Sequence, residues 1–224
     1  EKTLNKSVSY SRGRNTILEP EFFKPYFQTS KRKRVLPFSR KIVSCGNNKG
    51  GVGKTVTAAM IAYKLAQLGY KVLCIDSDPQ ANLTTYLLGE NYQADYSLYN
   101  YFKGECSEKD LVVKVSDYLS IVPGSLDNDF ITEVVSAVAL PNALVKKVIE
   151  KTDAEIVLID TNPTLSDMNL AIHSITDMLI TVINNDNDSI KGLGNVLSKT
   201  EILGYQGLHK VVLNKFDGRE TMSE

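Results

Sequence analysis

No run of about eighteen consecutive apolar residues occurs in this 224-residue chain, so no membrane-spanning helix is encoded. Cysteine is scarce. Cys45, Cys74 and Cys106 lack metal-ligand spacing, and the first two fall in apolar strand-like runs where a free thiol behaves as a small hydrophobe. That usage suits a reducing cytoplasm rather than a disulfide framework. Neither an initiator methionine nor a signal-peptide pattern stands at Glu1-Lys2-Thr3, which predicts a fragment of a longer protein. Internal repeats and low-complexity tracts are missing too. With 42% hydrophobic and 23% charged residues, the chain has the composition of an ordinary soluble protein with one substantial core.

Net charge is also absent, but the zero conceals an asymmetry. Residues 1–41 carry eleven Lys/Arg against three Glu, a net +8, while residues 42–224 carry fifteen against 23 acids, a net −8. A basic extension over 1–40 is therefore joined to an acidic domain over 41–224. Its densest stretch is Lys31-Arg32-Lys33-Arg34, followed by Val35-Leu36-Pro37-Phe38, which suits packing on the core with the cations at its surface. Contact with DNA phosphates is one use of such a run; a solvated linker, or an arm docked on an acidic partner surface, is the other. Tyr10, Phe22, Phe23, Tyr26 and Phe27 make the extension too apolar for simple disorder, and a short helix is expected over 19–28.

From Lys41 onward strand and helix patterns alternate, which predicts an α/β fold with a mostly parallel, doubly wound sheet; the glycine-rich stretch Lys49-Gly50-Gly51-Val52-Gly53-Lys54-Thr55 after its first strand makes that sheet the P-loop NTPase type. A first helix is expected from Lys54 to Leu68, with Ala58, Ile61, Ala62, Leu65 and Leu68 on one face and Gly69 ending it. Tyr92, Tyr96 and Tyr99 have the spacing of one face of a half-buried helical turn. Further on, a strand is expected over 118–122, helices over 126–135 and 143–151 divided by Pro141, then helix, strand and helix over 168–175, 178–183 and 190–203.

The chemistry concentrates in loops that follow apolar strands. Between Lys41-Ile42-Val43-Ser44-Cys45 and the first helix lies Asn47-Asn48-Lys49-Gly50-Gly51-Val52-Gly53-Lys54-Thr55. Glycines at 50, 51 and 53 allow a tight turn that aims backbone N–H groups inward, and the helix opening at Lys54 adds its positive end. A nucleoside triphosphate is the natural occupant, cradled by Asn48 through Val56. Lys54 would reach the β/γ oxygens and Thr55 would take a place on magnesium. Asn48 stands where the ordinary P-loop has glycine, and Lys49 is a second cation at the loop's head.

A second strand, Lys71 to Ile75, ends in Asp76-Ser77-Asp78-Pro79-Gln80-Ala81-Asn82. Two carboxylates two residues apart leave the carboxyl edge of the sheet, where open α/β folds bind ligands, so Asp76 suits assisting hydrated magnesium and Asp78 positioning a water. The alternative is an N-cap and turn. Glu155-Ile156-Val157-Leu158-Ile159-Asp160 is a third such strand, a Walker B pattern in which Asp160 holds magnesium and orients the γ-phosphate. His209 to Leu213 is a fourth, and Asn214 behind it is placed either for an adenine edge or as a plain turn residue.

The KGGVGKT string resembles the deviant Walker A loop of the ParA/MinD superfamily, and DxDPQxN resembles the ParA switch region rather than that of MinD. The resemblance covers roughly residues 41–220, with the family's final helices expected after Glu224. It implies an ATP-dependent DNA partition protein: a slow, partner-stimulated ATPase using ATP and Mg2+. It further implies a homodimer on ATP binding, non-specific DNA, a ParB-like centromere-binding partner, a nucleoid-associated cytoplasmic location and no membrane. By the same resemblance Lys49 contacts phosphates held by the partner subunit, Asp78 is needed for hydrolysis, Asn214 contacts the base, and late basic residues such as Lys199, Lys210, Lys215 and Arg219 serve DNA. Thr161-Asn162 departs from the family's Cys-Pro, and Val56 from its Thr. The alternative is a MinD-like membrane-cycling ATPase, which needs a C-terminal amphipathic helix; because the chain's end is expected after Glu224, the argument against it rests on Asp78-Pro79-Gln80 instead. An iron-protein relative would need cluster cysteines, and Cys45 and Cys74 are wrongly placed for that.

Overall fold

Runs of Val, Ile and Leu form strands covered on both faces because branched side chains fit a doubly buried pleat. The computed structural model describes residues 39–131, 141–164 and 166–215. Lys31–Arg34, the helix expected over 19–28, residues 132–135 and Arg219 lie outside them. Among the described residues seven strands, β1 (Lys41–Gly46), β2 (Val72–Asp76), β3 (Val113–Lys114), β4 (Leu119–Val122), β5 (Ile156–Asp160), β6 (Met178–Ile183) and β7 (Leu208–Leu213), form one sheet ordered β3-β4-β2-β5-β1-β6-β7. Every pairing is parallel except β3 with β4.

The described helices are α1 (Lys54–Gln67), α2 (Asn82–Leu88), α3 (Leu98–Phe102), α4 (Glu108–Leu111), α5 (Pro141–Glu150), α6 (Asp167–Ser174) and α7 (Asn187–Ile202), with a 3-10 turn over Leu126–Phe130. Alternation along β5 separates the two halves of the core. Ile156 and Leu158 pack with Ala59, Ala62 and Leu83 of α1 and α2. Val157 and Ile159 pack with Leu98, Val145 and Ile172 of α3, α5 and α6. The sheet is thus doubly wound, as the alternating pattern predicts.

Several details differ from the sequence expectation. The face that α1 buries is Ala58, Ala59, Ala62, Tyr63 and Ala66, while Ile61 and Leu65 sit half-buried at its flank. Four small alanines let the helix lie close to the strands, and Tyr63 is buried beside them. Tyr92 and Tyr96 are not helical; only Tyr99 is, in the short α3. Pro141 opens α5, two residues before the expected start, since its missing N–H costs nothing in a first turn; residues 132–140 before it lie outside the described ones. Leu126–Phe130 is a 3-10 turn. β3, two residues long, was not anticipated.

Register positions the functional loops. Asp160 pairs across β5 with Cys45 of β1 on one side and Asp76 of β2 on the other. Three strand ends therefore lie side by side at the carboxyl edge.

Behind β1, the His173 ring of α6 is buried with Nδ1 3.0 Å from the Ser44 hydroxyl. Burial, helped by the charge of His209, moves its pKa down from 6.5 to about 4. The folded ring stays neutral where the unfolded one takes a proton, so stability is undiminished above pH 6.5 and falls as pH drops toward 4. The loss reaches about 1.4 kcal/mol per pH unit in that window. Denaturant midpoints measured at pH 7 and pH 5 should separate for the native protein and draw together for His173→Gln; equal separation in both would contradict this.

Candidate functional site

The loop between β1 and α1 is built from backbone that only glycine adopts cheaply. Gly51 and Gly53 have φ of 72° and 98°, and Gly53 is the residue that starts α1. No side chain caps that helix end and no acid sits in its first turn, so its N–H groups are open to an anion. Lys54 is buried at the centre, its Nζ donating to the Lys49 carbonyl at 3.1 Å. Burial lowers its pKa, and the charges of Asp160 and Asp78 oppose that shift. Asn47 ties the loop's head to β6, donating from Nδ2 to Val182 O at 2.6 Å and accepting Lys49 N–H at 3.0 Å. Gly192 of α7 completes this contact, because a Cβ there would stand 2.3 Å from Asn47 Oδ1.

The three predicted carboxylates converge, but they are not equivalent. Asp160 is wholly buried and neither of its oxygens has a hydrogen-bond partner. Burial raises its pKa well above the ordinary value, as does the charge of Asp76, while the Thr55 hydroxyl and Lys54 pull it down. The Thr55 hydroxyl is the nearby donor that favours the ionised carboxyl, although it falls short of the geometry of a formed hydrogen bond. Asp76, by contrast, is satisfied. Its Oδ2 accepts from the Thr84 N–H and hydroxyl, each at 2.8 Å, and its Oδ1 from Asp78 N–H at 3.3 Å. Burial still pushes its pKa up to about 7. Asp78 is buried, with Oδ1 accepting Gln80 N–H at 2.9 Å in a tight turn that ends at Ala81, whose φ of 51° is left-handed. Asp78 thus sits in a turn, as one of the two sequence readings has it, but it does not cap α2, whose N-cap is Ala81.

Lys49 does not enter its own loop's hollow. Its Nζ is 2.6 Å from Asp186 Oδ1 and 3.9 Å from Asp188 Oδ2. Asp186 is also the N-cap of α7, accepting Ser189 N–H at 2.8 Å. The Lys49 ammonium, and then that N–H, hold its carboxyl at about 2. Asn214 directs Nδ2 to the Val52 carbonyl at 2.8 Å. Lys199 lies in the last turn of α7, and Lys210 is exposed on β7.

Sequence reasoning missed Thr84, Thr161 and Asp186. The Thr84 hydroxyl links Asp76 to the Gly124 N–H at 2.7 Å, and the Thr161 hydroxyl donates to Cys45 O at 2.8 Å, tying β5 to β1. In the sequence Thr161 stands out only as a departure from a family pattern, and nothing local marks the other two as partners.

Comparison with known proteins fits this geometry. The profile of a family described as an AAA domain matches residues 40–211. The chromosome-partitioning ATPase Soj of Thermus thermophilus is 28% identical over 81% of this chain and 72% of its own length. The chromosome partitioning protein ParA of Caulobacter vibrioides is 29% identical over 82% and 73%. The chain belongs to the ParA family of P-loop ATPases. Its fold is shared with a putative plasmid partition protein from Borrelia burgdorferi B31, solved bound to AMPPNP, at a TM-score of 0.72 and 23% identity over 81% of this chain and 78% of that one.

For a ParA-type chain, the orphaned carboxylate is the test of fit for a metal. A buried acid beside Lys54 and Thr55, with both oxygens unused, has the donor chemistry a magnesium shell needs. Without that cation the same group costs stability. Asp160→Asn should therefore raise the melting temperature of nucleotide-free protein, by about 1–2 kcal/mol of stability, and remove the added stabilisation by MgATP. Paired thermal melts read both, and a lowered melting temperature without nucleotide would contradict the assignment.

Proposed function

We propose that this chain is a partition ATPase that hydrolyses ATP with magnesium as a homodimer and, in its ATP-bound form, holds non-specific DNA. The observation that carries the reading is the unpartnered Asp160 carboxylate beside Lys54, at the edge where the glycine-rich loop meets two more acids. Thr55 and Asp160 would hold the metal, with Asp76 steadying the adjoining segment through Thr84. Magnesium bound there would neutralise charge on the β/γ oxygens.

The chain's own residues supply the rest. Lys54 screens phosphate charge from within the loop, and Asp78 positions the attacking water while its turn keeps it buried. Lys49 serves the partner's nucleotide, consistent with an ammonium engaged by Asp186 and not by its own loop's hollow. Each site is then completed only by a second copy, which makes hydrolysis slow alone and responsive to a ParB-like partner. DNA contact falls to Lys31–Arg34 and to late basic residues such as Lys199, Lys210 and Arg219, on a nucleoid-associated protein. Residues 1–40 act as a basic extension to the ATPase domain that follows.

Asp78→Ala should associate with ATP and bind random duplex DNA in a salt-dependent way, while phosphate release falls on the order of 100-fold. Lys49→Ala should lose ATP-dependent association or turnover. Light scattering with ADP and ATP, a DNA-binding titration and a phosphate-release assay read these outcomes. ATP binding with no change in association or DNA affinity would overturn the partition reading and favour a membrane-directed or sensing relative.

A further inference from the structure

Asn214 and Lys215 follow β7, remote in sequence from the phosphate loop, yet both reach it. Asn214 Nδ2 donates to the Val52 carbonyl at 2.8 Å, and Lys215 Nζ donates to the Gly51 carbonyl at 2.9 Å. These are consecutive carbonyls of the glycine-rich turn, and each belongs to a planar trans peptide, since no peptide bond among the described residues is cis. In a trans peptide the N–H points opposite to the C=O. Drawing the carbonyls of Gly51 and Val52 toward the end of β7 therefore turns the N–H groups of Val52 and Gly53 the other way, for use on an anion.

The approach is close and the geometry is over-determined. A Cβ on Gly53 would stand 2.3 Å from Asn214 Nδ2 and displace that side chain, so glycine at 53, favoured already by its φ of 98°, also leaves room for this contact. The Asn214 N–H donates to Ile183 O at 2.7 Å, anchoring the segment to the end of β6. Lys215 has a left-handed φ of 53°, which lysine rarely adopts, and its side chain is led back to Gly51.

We infer that Asn214 and Lys215 are positioning residues that brace the phosphate loop from outside, holding its amides in register for a polyphosphate whatever base is attached. The inference rests on the nucleotide-site reading above and departs from the base-contact role expected for Asn214. A residue that reads adenine changes affinity for ATP alone. A brace changes affinity for anything carrying the phosphates.

The test is direct binding of ATP, GTP and inorganic tripolyphosphate, each with magnesium, to the full chain and to Asn214→Ala, Lys215→Met and Lys215→Arg. Each lost hydrogen bond should weaken all three probes alike by about five- to tenfold, and Lys215→Arg, which keeps a donor, should restore most of the affinity. For Lys215→Met the loss should persist at about 0.5 M salt, roughly three times physiological strength, where the distant charge of Lys215 is screened. Faster amide exchange at Val52 and Gly53 in these variants would support the brace. Loss confined to ATP in Asn214→Ala would overturn it in favour of a base contact, and unchanged binding of every probe would overturn it outright. Lys215 is exposed, so its variants report even if Asn214→Ala fails to fold. Native protein that binds none of the three probes would instead remove the nucleotide reading beneath the inference.

Discussion

A carboxylate buried without a partner sets the character of this molecule. Asp160 ends the central strand β5, flanked in register by Cys45 and Asp76, and folding has taken both of its oxygens out of water without giving either a formed hydrogen bond. An isolated ionised carboxylate in such a place is costly, so the residue is held either protonated or opposed by cationic charge. Lys54 and the Thr55 hydroxyl supply part of that opposition, and a divalent cation would supply the remainder. The sheet accepts a local penalty at this point because the two strands beside β5 deliver the loop and the switch acids to the same edge.

Much of the surrounding structure compensates for that arrangement. The Thr84 hydroxyl satisfies Asp76 so that one of the two neighbouring acids is already engaged, and Thr161 stitches β5 to β1 at the level of the loop. Asn47, Asn214 and Lys215 take up loop carbonyls or strand-end carbonyls from outside, leaving the hollow to Lys54 and backbone amides. Lys49 is withheld by Asp186 at the head of α7, which keeps this cation out of a hollow that already contains one. Electrostatic preorganisation of this kind is where phosphoryl-transfer sites obtain most of their effect, since the transferred group demands charge and position more than covalent chemistry.

The legible part of the sequence was the part written locally. Glycines at 51 and 53, Lys54, and acids placed at the ends of apolar runs are short-range patterns, and each appears where the pattern predicts. The doubly wound sheet was readable from the alternation of runs. What escaped notice were interactions closed across long stretches of chain: Lys49 with Asp186, Thr84 with Gly124, Asn214 with Val52 and Lys215 with Gly51. No periodicity records such partners, because they depend on which strand ends the sheet order brings together. The α1 face was misjudged for a related reason: close approach to a sheet rewards alanine, and a hydrophobicity count favours Ile61 and Leu65. The Tyr92 spacing matched a helix by count alone, in a segment whose neighbours form turns.

The central claim is that Asp160, Lys54 and the glycine-rich loop form a magnesium-dependent triphosphate site. Calorimetric titration of the unmodified chain with a slowly hydrolysed ATP analogue, in magnesium and again in excess chelator, tests it most directly. The account predicts one nucleotide per chain in magnesium and affinity at least tenfold weaker, about 1.4 kcal/mol, in chelator. Equal affinity in both, or no binding in either, would contradict it.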